Sequence, residues 1–518
     1  MKLKVKYGIV LVLLTIVLWG CQSTEVSRPN ILFIMSDDHT AQAWGIYGGI
    51  LKDYVKNDNI ARLAEEGMVL NNVFCTNSIC VPSRASILTG KYSHKNGVYT
   101  LSQPLSPDSM NIAKAMQKSG YQTAVIGKWH LKKQPSGFDH FMVLPGQGRY
   151  HNPVLKTKEN WADYKEGGQE YQGFSADIIA SQSIEWLKRR DEQKPFFLMT
   201  HFKATHEPFD YPERHSTMYE GVELPEPESL YDFGPETTNR SFVGQGLDNL
   251  TDRWLRATND PNFKGMPYPG LPFSIDGLDS TQVRKKTYQK FVKDFLRCGA
   301  AIDDNIGRLL DYLEESGKAE NTVVIYTADQ GYFLGEHGFF DKRLIYEESL
   351  RMPFVIRYPR EIKGGNRIDD IILNIDFASL FADYAQIQNP TFGQGRSFRA
   401  NLKGETPDDW RKSMYYRYYA HSEVRPAHFG IRNQRYKLAF FYGRSLGLPG
   451  AKNNPARPAW EFFDLEKDPD ENHNAYSDSE YTELIASMKK ELLRQKAAVE
   501  DTDSEFPEMT EILKLTTE

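Results

Sequence analysis

Four separated stretches of this chain, residues 30–35, 121–126, 196–200 and 322–326, are continuous apolar runs of strand length. Runs without polar alternation suit strands buried on both faces of a parallel sheet. Helical periodicity fills the intervals: residues 60–66, 109–119 and 176–190 read as helices, and Tyr288, Phe291, Phe295, Ile302, Ile306, Leu309 and Leu313 recur at helical spacing before Gly317. The expected fold class is α/β, a large, mixed, mostly parallel sheet flanked by helices.

Each apolar run leads into side chains with chemistry to offer. The first is followed by Asp37, Asp38 and His39, the second by Lys128 and His130, the third by His201 and His206, and the fourth by Asp329 and Gln330. Ligands of open α/β sheets gather outside the carboxyl ends of the strands, so groups far apart in sequence can converge there. Adjacent carboxylates repel, and a pair such as Asp37 and Asp38 either lies in water or shares a cation. Taken alone the pair reads as a solvated turn; convergence with Asp329 and Gln330 favours the cation. Three carboxylates and an amide oxygen are hard donors suited to Ca²⁺ or Mg²⁺, and no Cys/His cluster suggests zinc.

Cys80 lies two residues before Pro82, which can occupy the first turn of a helix, and Gly90 is a natural stop. That places Cys80 at the positive, anion-binding end of the helix with Arg84 one turn along. A lone cysteine there would read as a buried thiol. The whole string Cys80-x-Pro82-Ser83-Arg84-x-x-x-Leu88-Thr89-Gly90, however, resembles the signature of the type I sulfatases. The resemblance implies that Cys80 is oxidised by a formylglycine-generating enzyme, that the hydrated aldehyde is the nucleophile, and that the fold is alkaline-phosphatase-like. Gly127-Lys128-Trp129-His130 resembles the second family motif, which implies that Lys128 binds sulfate and His130 assists at formylglycine.

His206, followed by Glu207 and Pro208, matches the family's expected general acid, whereas His201 reads as structural. Lys342 matches a lysine that binds sulfate and helps the leaving oxygen; His337 and Arg343 nearby are ambiguous. The implied cation is calcium on Asp37, Asp38, Asp329 and Gln330, with residue 80 completing its shell. Gln330 departs from the family's usual Asn or His. The implied reaction has Arg84, Lys128, Lys342 and the cation offset the charge of a sulfate ester while His206 protonates the departing alcohol.

Residues 208–280 show no sustained periodicity and are expected to form walls or lids over the site. Beyond residue 395 the pattern changes to short alternating segments at 413–419, 428–433, 436–442 and 460–465, then a helix at 481–498, read as a C-terminal antiparallel sheet with a helix against it. The expected division is a catalytic domain at 28–395 and a C-terminal subdomain at 396–518. His421, Arg425 and His428 join His337 as substrate-binding candidates, with surface histidines as the plainer alternative. At the other end, Lys2, Lys4 and Lys6 precede an apolar run from Gly8 to Trp19 and then Leu18-Trp19-Gly20-Cys21. This resembles a lipoprotein signal at residues 1–20 with lipidation of Cys21; a cleaved signal or uncleaved anchor are the alternatives, and all imply export, to the periplasm or the cell surface. Cys75 and Cys298 could pair in an oxidising compartment, which sequence leaves open.

The formal net charge of −6 argues against a nucleic-acid partner, and aromatics at 13% of residues hint at the ring-lined surfaces that sugars prefer. The resemblance implies aryl sulfates, sulfated sugars or glycosaminoglycans as substrates; among these, expected export and the aromatic content point to a sulfated glycan, and the stretch 327–342 resembles glycan sulfatases of the 6-O-sulfo-N-acetylglucosamine type. The alternatives are a 2-O- or 4-O-glycan sulfatase or arylsulfatase, a phosphonate or phosphodiester hydrolase of related architecture, or a glycan-binding lipoprotein without turnover.

Overall fold

The computed structural model describes residues 28–232, 238, 240–388 and 393–514; the expected signal and Cys21 lie outside them. The eight strands of the main sheet are β1 (Asn30–Asp37), β2 (Met68–Leu70), β3 (Gln122–Lys128), β4 (His140–Leu144), β5 (Phe196–Thr205), β6 (Thr322–Ala328), β7 (Phe354–Arg357) and β8 (Asn366–Ile368). They lie in the order β8-β2-β7-β6-β1-β5-β3-β4, and all neighbours are parallel except where β7 meets β6 and β2. The four long strands are those expected, but β1, β3, β5 and β6 run on past the apolar residues. Asp37, Lys128 and Thr205 are thus the last residues of their strands. A polar side chain can end a buried strand when it finds a buried partner, which the apolar pattern alone does not show.

Helices α1 (Asp58–Glu65), α2 (Cys80–Thr89), α3 (Ile112–Lys118), α4 (Ser175–Arg189), α5 (Asp248–Asn259), α6 (Ser280–Glu315), α7 (Asp376–Tyr384) and α8 (Thr482–Ala498) include every expected helix and two that periodicity did not reveal, α5 and α7. Alternate residues of β1 feed two separate cores. Ile31, Phe33 and Met35 pack in one with Phe377 and Phe381 of α7, while Leu32 and Ile34 pack in the other with Ile302, Ile306 and Leu309 of α6. This is why the strand is apolar at every position. Asp279 and Gln282 form a reciprocal capping box at the start of α6. Segment 208–280, expected to be irregular throughout, contains α5, whose Leu250 and Trp254 join Phe273 and the N-terminal half of α6 in a third cluster.

Strands β9 (Ser413–Tyr418), β10 (His428–Asn433), β11 (Tyr436–Phe441) and β12 (Ala459–Asp464) form the expected antiparallel sheet, with α8 against it. Tyr415, Phe429 and Phe440 of this sheet share the core of the α7 face, so the two parts are packed as one body. Cys75 and Cys298 are both buried and free; they belong to the cores on opposite faces of the main sheet, which keeps them from pairing.

Gly127, next to Lys128, has φ 109°, and a Cβ there would come 1.9 Å from the His201 carbonyl oxygen. Gly127→Ala is expected to destabilise the protein by roughly 3 kcal/mol; an unchanged melting temperature would show that β3 and β5 can separate at no cost.

Candidate active site

β1 has β6 on one side and β5 on the other, with β3 beyond β5. The registers align their carboxyl ends: Ser36 lies opposite Ala328, Asp37 opposite Thr205, and Gly127 opposite His201. Neighbouring strands that end level deliver Asp37 and Asp38, Lys128, His206, and Asp329 with Gln330 to one place. An irregularity between Met35 and Asp37 and a left-handed Asp38 (φ 62°) turn both carboxylates inward.

α2 points its first turn at this cluster. Cys80 is its first residue, and Gly90 closes the helix in the left-handed conformation (φ 64°) with its N–H donating to Ser86 O at 2.8 Å. Cys80 Sγ is 3.9 Å from Asp38 Oδ1 and 3.9 Å from Gln330 Nε2. One turn on, Arg84 donates from Nε to Asp329 Oδ2 at 2.8 Å, from Nη2 to Asp37 Oδ1 at 3.4 Å and from Nη1 to the Lys128 carbonyl at 2.8 Å. Its guanidinium therefore ties together the ends of β1, β3 and β6. The Ser83 hydroxyl donates to the Asp329 carbonyl and accepts from Asn374 Nδ2 at 3.0 Å.

The ammonium of Lys128 pairs with Asp37 and with Gln147; that of Lys342 pairs with the other carboxylate, Asp38. His206 Nδ1 bonds the Glu207 carbonyl at 2.8 Å, which leaves Nε2 facing Asp38 Oδ2 at 3.7 Å. His130, left-handed at φ 61°, has a buried Nδ1 without a hydrogen-bond partner. His201 does not face the cluster as His206 does: its Nδ1 lies 3.1 Å from the Lys128 carbonyl, and its ring packs edge-on to Phe33.

Burial drives the electrostatics. It pushes Asp37 up, but Lys128, His206 and Arg84 outweigh it and hold Asp37 well below the usual carboxylate range. Asp38 and Asp329 are raised by burial, Asp329 well above its usual value with Asp37 and Asp38 adding to the effect. Burial also raises the Cys80 thiol and lowers His130 and His206, the two lysines adding to the lowering of each histidine.

Asp37, Asp38 and Asp329 each present a carboxylate oxygen, all within 4.8 Å of one another, and Gln330 Oε1 is buried without a hydrogen-bond partner. Buried like-charged carboxylates beside an unpartnered amide oxygen are a donor set that fits a hard divalent cation.

Three candidates from the sequence make their contacts with groups outside the cluster. His337 is wholly buried between Phe333, Phe339 and Tyr346, with neither ring nitrogen bonded. His428 stacks on Phe441 and bonds the Pro426 carbonyl at 2.7 Å; His421 is buried between the Asn454 carbonyl and the Ala427 N–H. Arg425 behaves differently. It bonds Asp341 Oδ2 at 2.8 Å and Gln245, next to Lys342, and is still partly exposed. Asp341, which escaped the sequence reading, and Arg343, which that reading left ambiguous, complete this charged group, with Arg343 Nε 2.8 Å from Asp341 Oδ2. Both have left-handed backbones (φ 81° and 95°), a strain that tends to mark functional segments and leaves no sequence signal in a non-glycine residue.

A profile of the Sulfatase family matches residues 29–387, and one described as N-sulphoglucosamine sulphohydrolase, C-terminal, matches residues 335–498. The chain is 38% identical to an N-acetylglucosamine-6-O-sulfatase of Bacteroides thetaiotaomicron, over 94% of this chain and 88% of that protein. It superposes with a TM-score of 0.81 and 34% identity on a solved structure of a protein in complex with its substrate D-glucosamine-2-N,6-O-disulfate, covering 93% of this chain and 100% of the other. A phosphonate monoester hydrolase of Agrobacterium radiobacter shares the fold at 19% identity and a TM-score of 0.68, over 91% of this chain and 96% of that one.

Arg84→Ala would leave Asp37 and Asp329 short of their shared buried partner and is expected to destabilise the fold by about 3–5 kcal/mol. A denaturation midpoint equal to that of the unsubstituted protein would show that the carboxylates are held in another way.

Proposed function

Because the chain belongs to the sulfatase family, we propose that it removes the 6-O-sulfate from N-acetylglucosamine or a closely related glucosamine of a sulfated glycan, using formylglycine made from Cys80 and a bound Ca²⁺. That it is a sulfuric ester hydrolase follows from the family. The observation that carries the substrate is the 38% identity, over 94% of the chain, to a protein named N-acetylglucosamine-6-O-sulfatase. The likeness to a structure solved with D-glucosamine-2-N,6-O-disulfate supports it.

Formylglycine supplies a hydrated aldehyde as nucleophile, and Ca²⁺ supplies positive charge against Asp37, Asp38, Asp329 and the incoming sulfate. The remaining steps belong to side chains of the chain itself. Arg84, Lys128 and Lys342 surround the mouth of α2 and offset the negative charge of a sulfate ester held there. The bond from His206 Nδ1 to the Glu207 carbonyl aims Nε2 into the site, where it delivers a proton to the departing sugar oxygen. Burial, Lys128 and Lys342 hold His206 well below its usual range; a bound sulfate acts in the opposite sense and favours the protonated ring. His130 is the proposed base at residue 80. Asp341, Arg343 and Arg425 lie beside Lys342, with donors and acceptors in place for sugar hydroxyls.

Residues 28–395 are assigned as the catalytic body and 396–518 as a C-terminal subdomain, which contributes Arg425. We assign the chain to the exterior of the cell or to the periplasm, held by lipid on Cys21. No helix among the described residues is long and apolar enough to cross a membrane.

Two measurements test this reading. Coexpression with a formylglycine-generating enzyme is expected to shift the Cys80 peptide to the aldehyde mass, with free-sulfate release from 6-O-sulfated glucosamines rising in step. Sulfate release solely from 2-O- or 4-O-sulfated sugars, or hydrolysis of phosphodiesters with no sulfate released from any sugar, would overturn the substrate assignment. Chelation by EGTA is expected to lower turnover at least tenfold, with Ca²⁺ restoring it; full activity after exhaustive chelation would remove the cation from the mechanism.

A further inference from the structure

His206 is held by its main chain as well as by its ring. Its N–H donates to the Lys203 carbonyl at 3.2 Å, and its own carbonyl accepts from Phe209 N–H at 3.3 Å and from the Tyr150 hydroxyl at 2.5 Å. The last bond comes from a distant part of the chain. Tyr150 follows β4, is 3% exposed, stacks on Phe174 at 5.8 Å and is anchored by its own carbonyl, which accepts from Ser175 N–H at 2.7 Å. Two further buried groups converge on it. Cys298 of α6 places Sγ 3.5 Å from the hydroxyl, and the Lys203 ammonium sits 4.6 Å from the ring centroid. Among the described residues Lys203 forms no ion pair; burial and the charge of Lys128 lower it to about 7, Asp37 and Asp38 act in the opposite sense, and the Tyr150 ring is the face its ammonium touches.

None of these three side chains belongs to the cluster of Asp37, Cys80 and Lys342, so they are candidates for support and not for contact with substrate. We propose that Tyr150, backed by Cys298 and Lys203, is a positioning residue that fixes the turn carrying His206 and so keeps its Nε2 aimed at the leaving oxygen. The chemistry is specific to the hydroxyl. A phenylalanine would keep the ring against Phe174 and Lys203 but release the His206 carbonyl, and a donor displaced by about 1 Å can lose much of its catalytic advantage. The inference rests on the reading of His206 as general acid.

A double-mutant cycle on the matured enzyme, with a 6-O-sulfated glucosamine as substrate, separates this role from plain structural support. Tyr150→Phe is expected to lower kcat roughly tenfold with KM within about twofold, and to change kcat by less than twofold when introduced into His206→Asn. Equal losses in the two backgrounds, or no loss in either, would overturn the proposal. Should Tyr150→Phe fail to fold, Cys298→Ala tests the same link through its weaker contact: a smaller kcat loss that vanishes in His206→Asn supports it, and one that persists there refutes it. If His206→Asn alone keeps wild-type turnover, the general-acid reading fails, and this inference falls with it by a result distinct from the others.

Discussion

Three carboxylates buried within reach of one another set the terms for the rest of this structure. At an effective dielectric of 20, two unit charges 4 Å apart interact by about 4 kcal/mol, and each buried charge carries a desolvation cost besides. Asp37, Asp38 and Asp329 therefore cannot stand together without nearby positive charge. Arg84, Lys128 and Lys342 supply it from the protein side, each from a different part of the chain. Under the function proposed above, the same three cations would also face the sulfate ester.

The sheet determines where this balance can be struck. With both faces of β1 covered, its end is the one place where a polar side chain can emerge from the core without disrupting it, and β6, β5 and β3 end level with it. α2 completes the arrangement. Its positive end meets the carboxylates while its Arg84 reaches three strand ends, so Cys80 and Arg84 are carried on one helix. The Asp341, Arg343 and Arg425 group joins a left-handed segment beside Lys342 to the C-terminal sheet, which brings the second half of the chain next to the cluster.

Where sequence reasoning succeeded, the pattern had a local physical cause. A strand covered on two faces must be apolar at every position, so β1, β3, β5 and β6 were visible; a long helix packed on a sheet repeats its apolar stripe, so α6 was visible. α7 was missed because it is apolar almost all round, being enclosed by its neighbours, and α5 because its stripe is short and lies within a stretch rich in proline and glycine. The histidines show the limit of residue type as evidence. His206 and His337 are both buried, His337 the more completely, yet one directs a nitrogen at Asp38 and the ring nitrogens of the other lie among aromatic rings with no hydrogen-bond partner.

The sequence alone determined that this chain folds around a mostly parallel sheet and that the polar groups following its strands could meet near Cys80, because burial and helix capping are written in residue type and spacing over a few turns. Only the tertiary structure decided which charges pair, that Cys75 and Cys298 stay apart on opposite faces of the sheet, that His421 and His428 bond backbone carbonyls while Arg425 bonds Asp341, and that the Tyr150 hydroxyl bonds the His206 carbonyl. Those outcomes depend on distances between segments remote in sequence. Such distances are set by the packing of two cores against one sheet, which no local pattern encodes.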